Sequence, residues 1–225
     1  MADHEIKHTQ PGLIDFLRTR EIDLVFDVGA NDGHFGLWLR ETGYEGRIVS
    51  FEPIPAVFGQ LKARADEDGA WEAHPVALGD VPGKAVINVS ESSVFSSLLL
   101  HRETATTFDP GAVPVRTEEV TVATLDQFAP DYASRTCFLK SDTQGFERQV
   151  LLGAKATLPI LQGVQLELPI IQFYSGVWGV SEAITFMANE GFVVAQLHPV
   201  NYHPADPVSW VEADCVFRRA DPPID

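Results

Sequence analysis

Apolar positions along this chain recur in two alternating rhythms, short unbroken runs and stretches with a three-to-four residue period. "DLVFDVG" (23–29) is a compact run that predicts a strand, and "HFGLWLRETG" (34–43) has the spacing of a helix closed by Gly43. "GRIVSFEP" predicts a second strand stopped by Pro53. "PAVFGQLKARADEDG" follows with Val57, Phe58, Leu61 and Ala65 at helical spacing and Gly69 beyond the end. Upstream, "PGLIDFLRTREI" predicts a short helix inside an N-terminal helical segment, residues 1–22. Downstream, "WEAHPVALGD" and the alternating "KAVINVS" read as strands, and "VTVATLDQFAP" leads into a helix. "CFLKSD", "GFERQVLLGAKATL", "GVQLELPI" and "VSEAITFMANEG" then read as strand, helix, strand and helix, before two closing strands, "FVVAQLHPV" and "ADCVFRRA".

Strands that alternate with helices predict an α/β fold with a mostly parallel sheet. The two closing strands leave no room for a helix between them, so they are expected to form an antiparallel pair at one edge. Residues 91–118 are the least regular stretch, rich in Ser, Thr, Pro and Gly, and are expected to form a lid or substrate loop. No repeat or linker divides the chain, which is expected to be one domain over residues 1–225.

Composition narrows the partners. Apolar residues make up 45% of the 225 and charged residues 21%, the balance of a soluble globular chain. The formal net charge of −16 opposes a nucleic-acid partner, because no basic patch offsets it. No apolar run approaches the roughly 20 residues that span a bilayer, so no membrane partner is expected. The first residues lack the pattern of a secretory signal, and the expected location is cytoplasmic. Cys137 and Cys215 form no metal-binding spacing and are expected as buried, reduced thiols.

The first strand runs into the turn G-A-N-D-G, and Glu52 ends the second strand about 20 residues on, where a carboxylate can accept hydrogen bonds from ribose hydroxyls. Together these features predict a ribonucleoside ligand. The dinucleotide fingerprint has a glycine where Asn31 stands here, and Asp27 and Asp32 would oppose a pyrophosphate. S-adenosylmethionine has no phosphate and carries an ammonium and a sulfonium, so the charge argument favours it over NAD. Two alternatives stay open: a small NAD(P)-dependent oxidoreductase or epimerase, and a non-catalytic nucleoside-binding domain. The first lacks a YxxxK pair, since Tyr44, Tyr132, Tyr174 and Tyr202 have no Lys four residues on.

"FDVGANDGHFG", "VSFEPIPAVFGQLKAR", "VALGD", "ATLDQF" and "KSDTQGFERQVLLGA", in that order, resemble the FkbM family of S-adenosylmethionine-dependent methyltransferases over residues 24–168. The resemblance implies a Rossmann-like class I methyltransferase fold, with a seven-stranded sheet and an antiparallel last strand. It also implies O-methylation of a sugar or natural-product hydroxyl. It carries Asp27, Gly29, Ala30, Asn31 and Gly33 over to the turn that faces the methionine part of the cofactor. Glu52 is carried over to the ribose, Pro53 and Ile54 to the neighbourhood of adenine, and Ala77 and Leu78 to further adenine contacts. Asp142 matches the aspartate of the family's K-[IV]-D-[VT]-E-G segment, which here reads K-S-D-T-Q-G, with Ser141 and Gln144 in place of an apolar residue and a glutamate.

Methyl transfer to oxygen is an in-line displacement that gains from alignment and from a base. Asp142, which ends the fourth main strand, is the first candidate base and a candidate cofactor contact, and His198 is the alternative base. Glu167 could join Asp142 around a divalent ion, so the metal is left unassigned. His34 could touch the methionine carboxylate. Ser92, Ser93, Ser96 and Ser97 could face the cofactor or acceptor, and Phe173, Tyr174 and Trp178 could line an acceptor pocket. The acceptor's identity and the oligomeric state are left open.

Overall fold

The computed structural model describes residues 12–220. Of the expected N-terminal segment, residues 1–11 lie outside the described residues, and the rest contains helix α1 (Leu13–Thr19). The chain then alternates as expected through β1 (Leu24–Val28), α2 (His34–Glu41), β2 (Arg47–Phe51), α3 (Pro55–Asp66) and β3 (Trp71–His74). After an excursion of about sixty residues it returns with β7 (Cys137–Ser141), α6 (Glu147–Leu152), β8 (Leu161–Pro169) and α7 (Val180–Asn189). It closes with β9 (Phe192–His203) and β10 (Asp206–Arg219).

These strands form a seven-stranded sheet in the order β3-β2-β1-β7-β8-β10-β9. The pairs from β3 through β8 are parallel, and β10 runs antiparallel to both β8 and β9, the edge arrangement expected from the closing strands. Every residue of β1 and β7 is buried, because helices cover both faces of the sheet. Leu24, Phe26 and Val28 face a core completed by Val150, Leu151, Met187 and Phe192. Val25 faces the other core, with Leu13, Leu17, Phe35, Leu39 and Leu61. The chain order reverses between β1 and β7, so the loops after these two strands diverge and leave a crevice at their C-terminal ends.

The excursion departs from the sequence reading. "WEAHPVALGD" is two strands, because Pro75 ends β3 and β4 (Ala77–Leu78) joins a second sheet instead. That sheet has the order β4-β6-β5, with β5 (Gly83–Ser90) and β6 (Pro114–Ala123) antiparallel. Residues 114–118 are therefore strand, although expected within the irregular segment. Nearly all the front of β6 faces solvent, and only Val120 and Val122 are buried, so "PVRTEE" shows no apolar alternation. Helix α4 (Glu103–Phe108) also lies inside the expected loop, and α5 (Leu125–Phe128) follows β6. Helix α6 stops at Gly153, earlier than expected, where a Cβ would come within 1.9 Å of the Gly79 carbonyl oxygen.

Both cysteines are buried with free thiols, and burial lifts Cys137 to about 11 and Cys215 to about 12. No helix among the described residues is long and apolar enough to cross a membrane.

Candidate functional site

A cavity of about 1450 Å³ opens over the C-terminal ends of β1, β2, β7 and β8. Its first wall is the turn after β1. Gly29 has φ +73°, and a Cβ there would lie 1.8 Å from the Asp142 carbonyl oxygen, so the two diverging loops touch through bare backbone. Asn31 is also left-handed, at φ 49°. The Gly29 and Ala30 amides both donate to the Phe51 carbonyl at 3.1 Å, which ties this turn to the end of β2.

Glu52 locks the same corner. Its Oε2 accepts the Asn31 amide at 3.1 Å and its Oε1 the Ile54 amide at 2.8 Å. Each oxygen keeps a second lone pair for a ligand. The side chain is buried, and that burial lifts its pKa to about 7 against the two amide bonds and Lys140, which pull it down. Pro53, Ile54, Ala77, Leu78 and Ile87 add an apolar wall beside it.

The charge at the turn differs from the sequence expectation. Asp27 does not line the cavity; it is fully buried beneath it, 3.1 Å from the Lys140 ammonium, and its Oδ2 accepts the Ser50 hydroxyl at 3.2 Å. The register explains this pairing, since Asp27 lies beside Ser50 on one side and Lys140 on the other. Asp32 is paired as well, with Arg64 at 3.2 Å and His34 at 2.6 Å. Neither carboxylate offers an unbalanced charge to a ligand, so the argument that set them against a pyrophosphate does not hold. Lys140 also lies 3.6 Å from Asp142 and 3.3 Å from the Gly29 carbonyl, and it is buried over the Phe35 ring. Burial works against its ammonium, but Asp27 and Asp142 outweigh that cost and hold it above the ordinary lysine range.

The opposite wall carries the net acidity. Asp142 follows β7, Glu167 stands near the end of β8, and Glu212 comes from β10, antiparallel beside it. The Gln144 carboxamide joins the first two, its Nε2 donating to Asp142 Oδ1 at 3.0 Å and to Glu167 Oε2 at 2.7 Å. Its Oε1 accepts the Tyr174 hydroxyl at 2.7 Å. Burial first, then Asp142 and Glu212, push the Glu167 carboxyl well above the usual range. Glu212 rises to about 7, mainly through burial, although the Asn201 amide donates to its Oε2 at 2.9 Å. The described residues contain no cluster of three or more His, Cys, Asp or Glu suited to a metal. Between Asp142 and Glu167, the two carboxylates considered for one, stands the donating amide of Gln144.

Of the residues singled out in the sequence, Gly29, Ala30, Asn31, Glu52, Pro53, Ile54, Ala77, Leu78 and Asp142 line this one cavity. Gly33 supports it from behind as the left-handed residue before α2, against Leu61 and Trp71. His34 and Ser92, Ser93, Ser96 and Ser97 also line it, and the Ser93 hydroxyl hydrogen-bonds the Asn31 carboxamide at 3.2 Å. His198 does not. It lies within β9, not after a strand end, and its Nε2 meets the Gln196 side chain, which itself donates to the Gly12 carbonyl beside α1. Phe173, Tyr174 and Trp178 are buried core residues and do not line the cavity. Lys140, Asn201, Tyr202 and Glu212 line it without having been singled out. The lysine's position in K-S-D-T-Q-G was the one available signal; β10 offered none.

A family model described as the methyltransferase FkbM domain matches residues 27–194. The chain belongs to the FkbM methyltransferase family. Among solved structures, this FkbM protein is similar to magnesium protoporphyrin IX methyltransferase from Synechocystis PCC 6803, solved with bound SAM. The TM-score is 0.52 and the identity 10%, over 93% of this chain and 77% of that one. It is also similar to an uncharacterised protein from Listeria monocytogenes serotype 4b, with TM-score 0.50 and 6% identity, over 100% of this chain and 71% of that one. At these identities the likeness shows the fold, the Rossmann-like class I methyltransferase fold with antiparallel last strands. No curated protein matches the sequence significantly. The FkbM family is one of S-adenosylmethionine-dependent methyltransferases, which sets the oxidoreductase alternative aside.

Proposed function

We propose that the protein transfers the methyl group of S-adenosylmethionine to a hydroxyl oxygen of a small molecule, a sugar or natural product. The observation that carries this reading is the convergence on one cavity of Gly29–Asn31, Glu52–Ile54, Ala77–Leu78 and Asp142. These residues fit the cofactor. The bare Gly29 backbone lets the β1 turn pack directly on the Asp142 carbonyl and so brings both walls to one cavity, Glu52 keeps lone pairs for two ribose hydroxyls, and the apolar wall suits adenine. Bound there, S-adenosylmethionine supplies a methyl group on a positively charged sulfur.

In this reading the turn after β1, supported by Asp27 and Gly33, holds the methionine part and Glu52 the ribose. Asp142 would take the proton from the acceptor hydroxyl, whose oxygen would receive the methyl group as its bond to the cofactor's sulfur breaks and the electron pair stays on sulfur. Lys140, 3.6 Å away, sets a positive charge beside the carboxylate that receives that proton. The side chains that orient the acceptor supply the alignment, which is the larger part of the rate gain, on the order of 7–11 kcal/mol for well-placed partners. The proton transfer adds about 10²–10⁴-fold. Within segment 91–118, Ser92–Leu98, Phe108 and Asp109 line the cavity and serve as the substrate-facing part, anchored by the Ser97 hydroxyl on the Gln144 carbonyl at 2.7 Å, while residues 114–118 belong to β6.

Titration calorimetry with S-adenosylmethionine, S-adenosylhomocysteine and NAD tests this. The first two should bind and NAD should not, and Asp142→Asn should retain homocysteine-product binding while losing transfer to hydroxylated acceptors. A protein that binds neither sulfur compound would sink the proposal.

A further inference from the structure

We infer that the acceptor half of the cavity, walled by β10 and the β9–β10 turn, takes a molecule bearing a positively charged amine, which Glu212 meets. This rests on the methyltransferase reading and adds the chemical class of the acceptor.

Size comes first. A cavity of about 1450 Å³ exceeds the roughly 300–1,000 Å³ of a site for one drug-sized ligand, so a second molecule fits beside the cofactor. Charge decides what that molecule is. Seven carboxylates line the cavity, those of Asp32, Glu41, Glu52, Asp109, Asp142, Glu167 and Glu212, against one ammonium, Lys140. That ammonium is already shared between Asp27 and Asp142. Arg64 neutralises Asp32, and Glu52 is held by two backbone amides beside the apolar wall. Asp109 accepts the Gly111 amide, and Glu41 is an exposed residue that water can solvate. That leaves Glu167 and Glu212, on the far side.

Glu212 is the informative member. It is 6% exposed and lines the cavity, and its Oε2 takes one neutral bond, from Asn201. Among the described residues no hydrogen bond reaches its Oε1 and no cationic side chain pairs with it. Its neighbour across the sheet, Pro169, has no N–H to give. A buried carboxylate without a counter-charge is costly, and a ligand ammonium removes that cost, whereas a phosphate or carboxylate there would add to it. Trp38, Phe108 and Tyr202 also line the cavity. An uncharged sugar would find hydroxyl partners here, but it would leave Glu212 uncompensated.

The test uses four probes on one ring: cyclohexylammonium, cyclohexanol, cyclohexanecarboxylate and cyclohexyl phosphate. Binding is read by NMR on protein with ¹³C-labelled Asp and Glu side chains, with and without S-adenosylhomocysteine. The amine should bind about tenfold or more tighter than the alcohol, equivalent to about 1.4 kcal/mol, and should shift the Glu212 signal; the two anions should not bind. Glu212→Gln should abolish that preference while leaving the S-adenosylhomocysteine affinity in place and the protein folded, with a cooperative melting transition. Glu167→Gln serves as a second variant should Glu212→Gln fail to fold. Equal binding of amine and alcohol, binding of an anion, no amine binding up to its solubility, or displacement of the amine by Mg²⁺ would each overturn the inference. Loss of S-adenosylhomocysteine binding alone would instead count against the cofactor assignment, because the amine titration is also run without it.

Discussion

Around Glu52 the cleft is made of main chain: Gly29, Asn31 and Ile54 contribute amides or bare backbone, and one carboxylate fastens two neighbouring turns. Around Glu212 it is made of side chains, carried to one place by β7, β8 and β10 from distant parts of the chain. The first construction is suited to a ligand that never changes, because amides and turns are set by the fold and tolerate little substitution. The second can change acceptor by changing a side chain, with the sheet left intact. Lys140 joins the two halves, since its ammonium reaches Asp27 below the first turn and Asp142 at the second wall.

Breaking that joint should have the largest effect. Lys140→Met leaves Asp27 buried without a counter-charge and should destabilise the fold by about 3–5 kcal/mol, read by urea unfolding. A loss under about 1 kcal/mol would mean that the two halves are not coupled through this residue.

A smaller effect should stay within the main-chain half. Glu52→Gln cannot offer two acceptor oxygens to the Asn31 and Ile54 amides and to a ribose. It should weaken S-adenosylhomocysteine binding by about 1.5–3 kcal/mol, while the amine preference at Glu212 persists. Should Glu52→Gln and Glu212→Gln have the same effect on both ligands, the division of the cleft would be wrong.

The smallest and most diagnostic change is with pH. Burial first, with neighbouring carboxylates adding to it, lifts Glu52, Glu147 and Glu212 from 4.5 to about 7. Each such group binds its proton more tightly folded than unfolded, so it lowers stability as pH rises from about 4.5 to about 7. Asp68, lowered chiefly by its Arg40 hydrogen bond, acts in the opposite sense below that window. His74 and His101, lowered chiefly by burial, oppose the carboxyls within it, while Glu167, raised well above its ordinary value, acts with them. The melting temperature of the ligand-free protein should therefore fall by a few degrees between pH 5 and pH 7.5. Glu212→Gln should flatten that slope, and a midpoint that rises over this range would contradict the assignment of these groups.

What could be read from the chain alone follows from short-range physics. The unbroken apolar runs of β1 and β7 and the helical spacing of α3 depend on neighbours a few residues apart, so their order was legible. So were the Gly29–Gly33 turn and Glu52, because a strand-to-helix turn and the end of the next strand are local features. The division at Pro75 and the exposed front of β6 were missed, because an element with little buried surface leaves no apolar pattern.

Pairings across the sheet are of another kind. Register placed Lys140 against Asp27 and so cancelled a charge that the sequence left standing, and it turned His198 toward Gln196, outside the cavity lining. Register also set Glu212 beside the end of β8, where with Asp142 and Glu167 it forms the acidic wall. The sequence by itself determined the run of elements and the glycine turn after the first strand, because each arises from contacts between near neighbours along the chain. Only the tertiary structure decided which charges remain unbalanced, because a carboxylate's field depends on what the fold brings beside it.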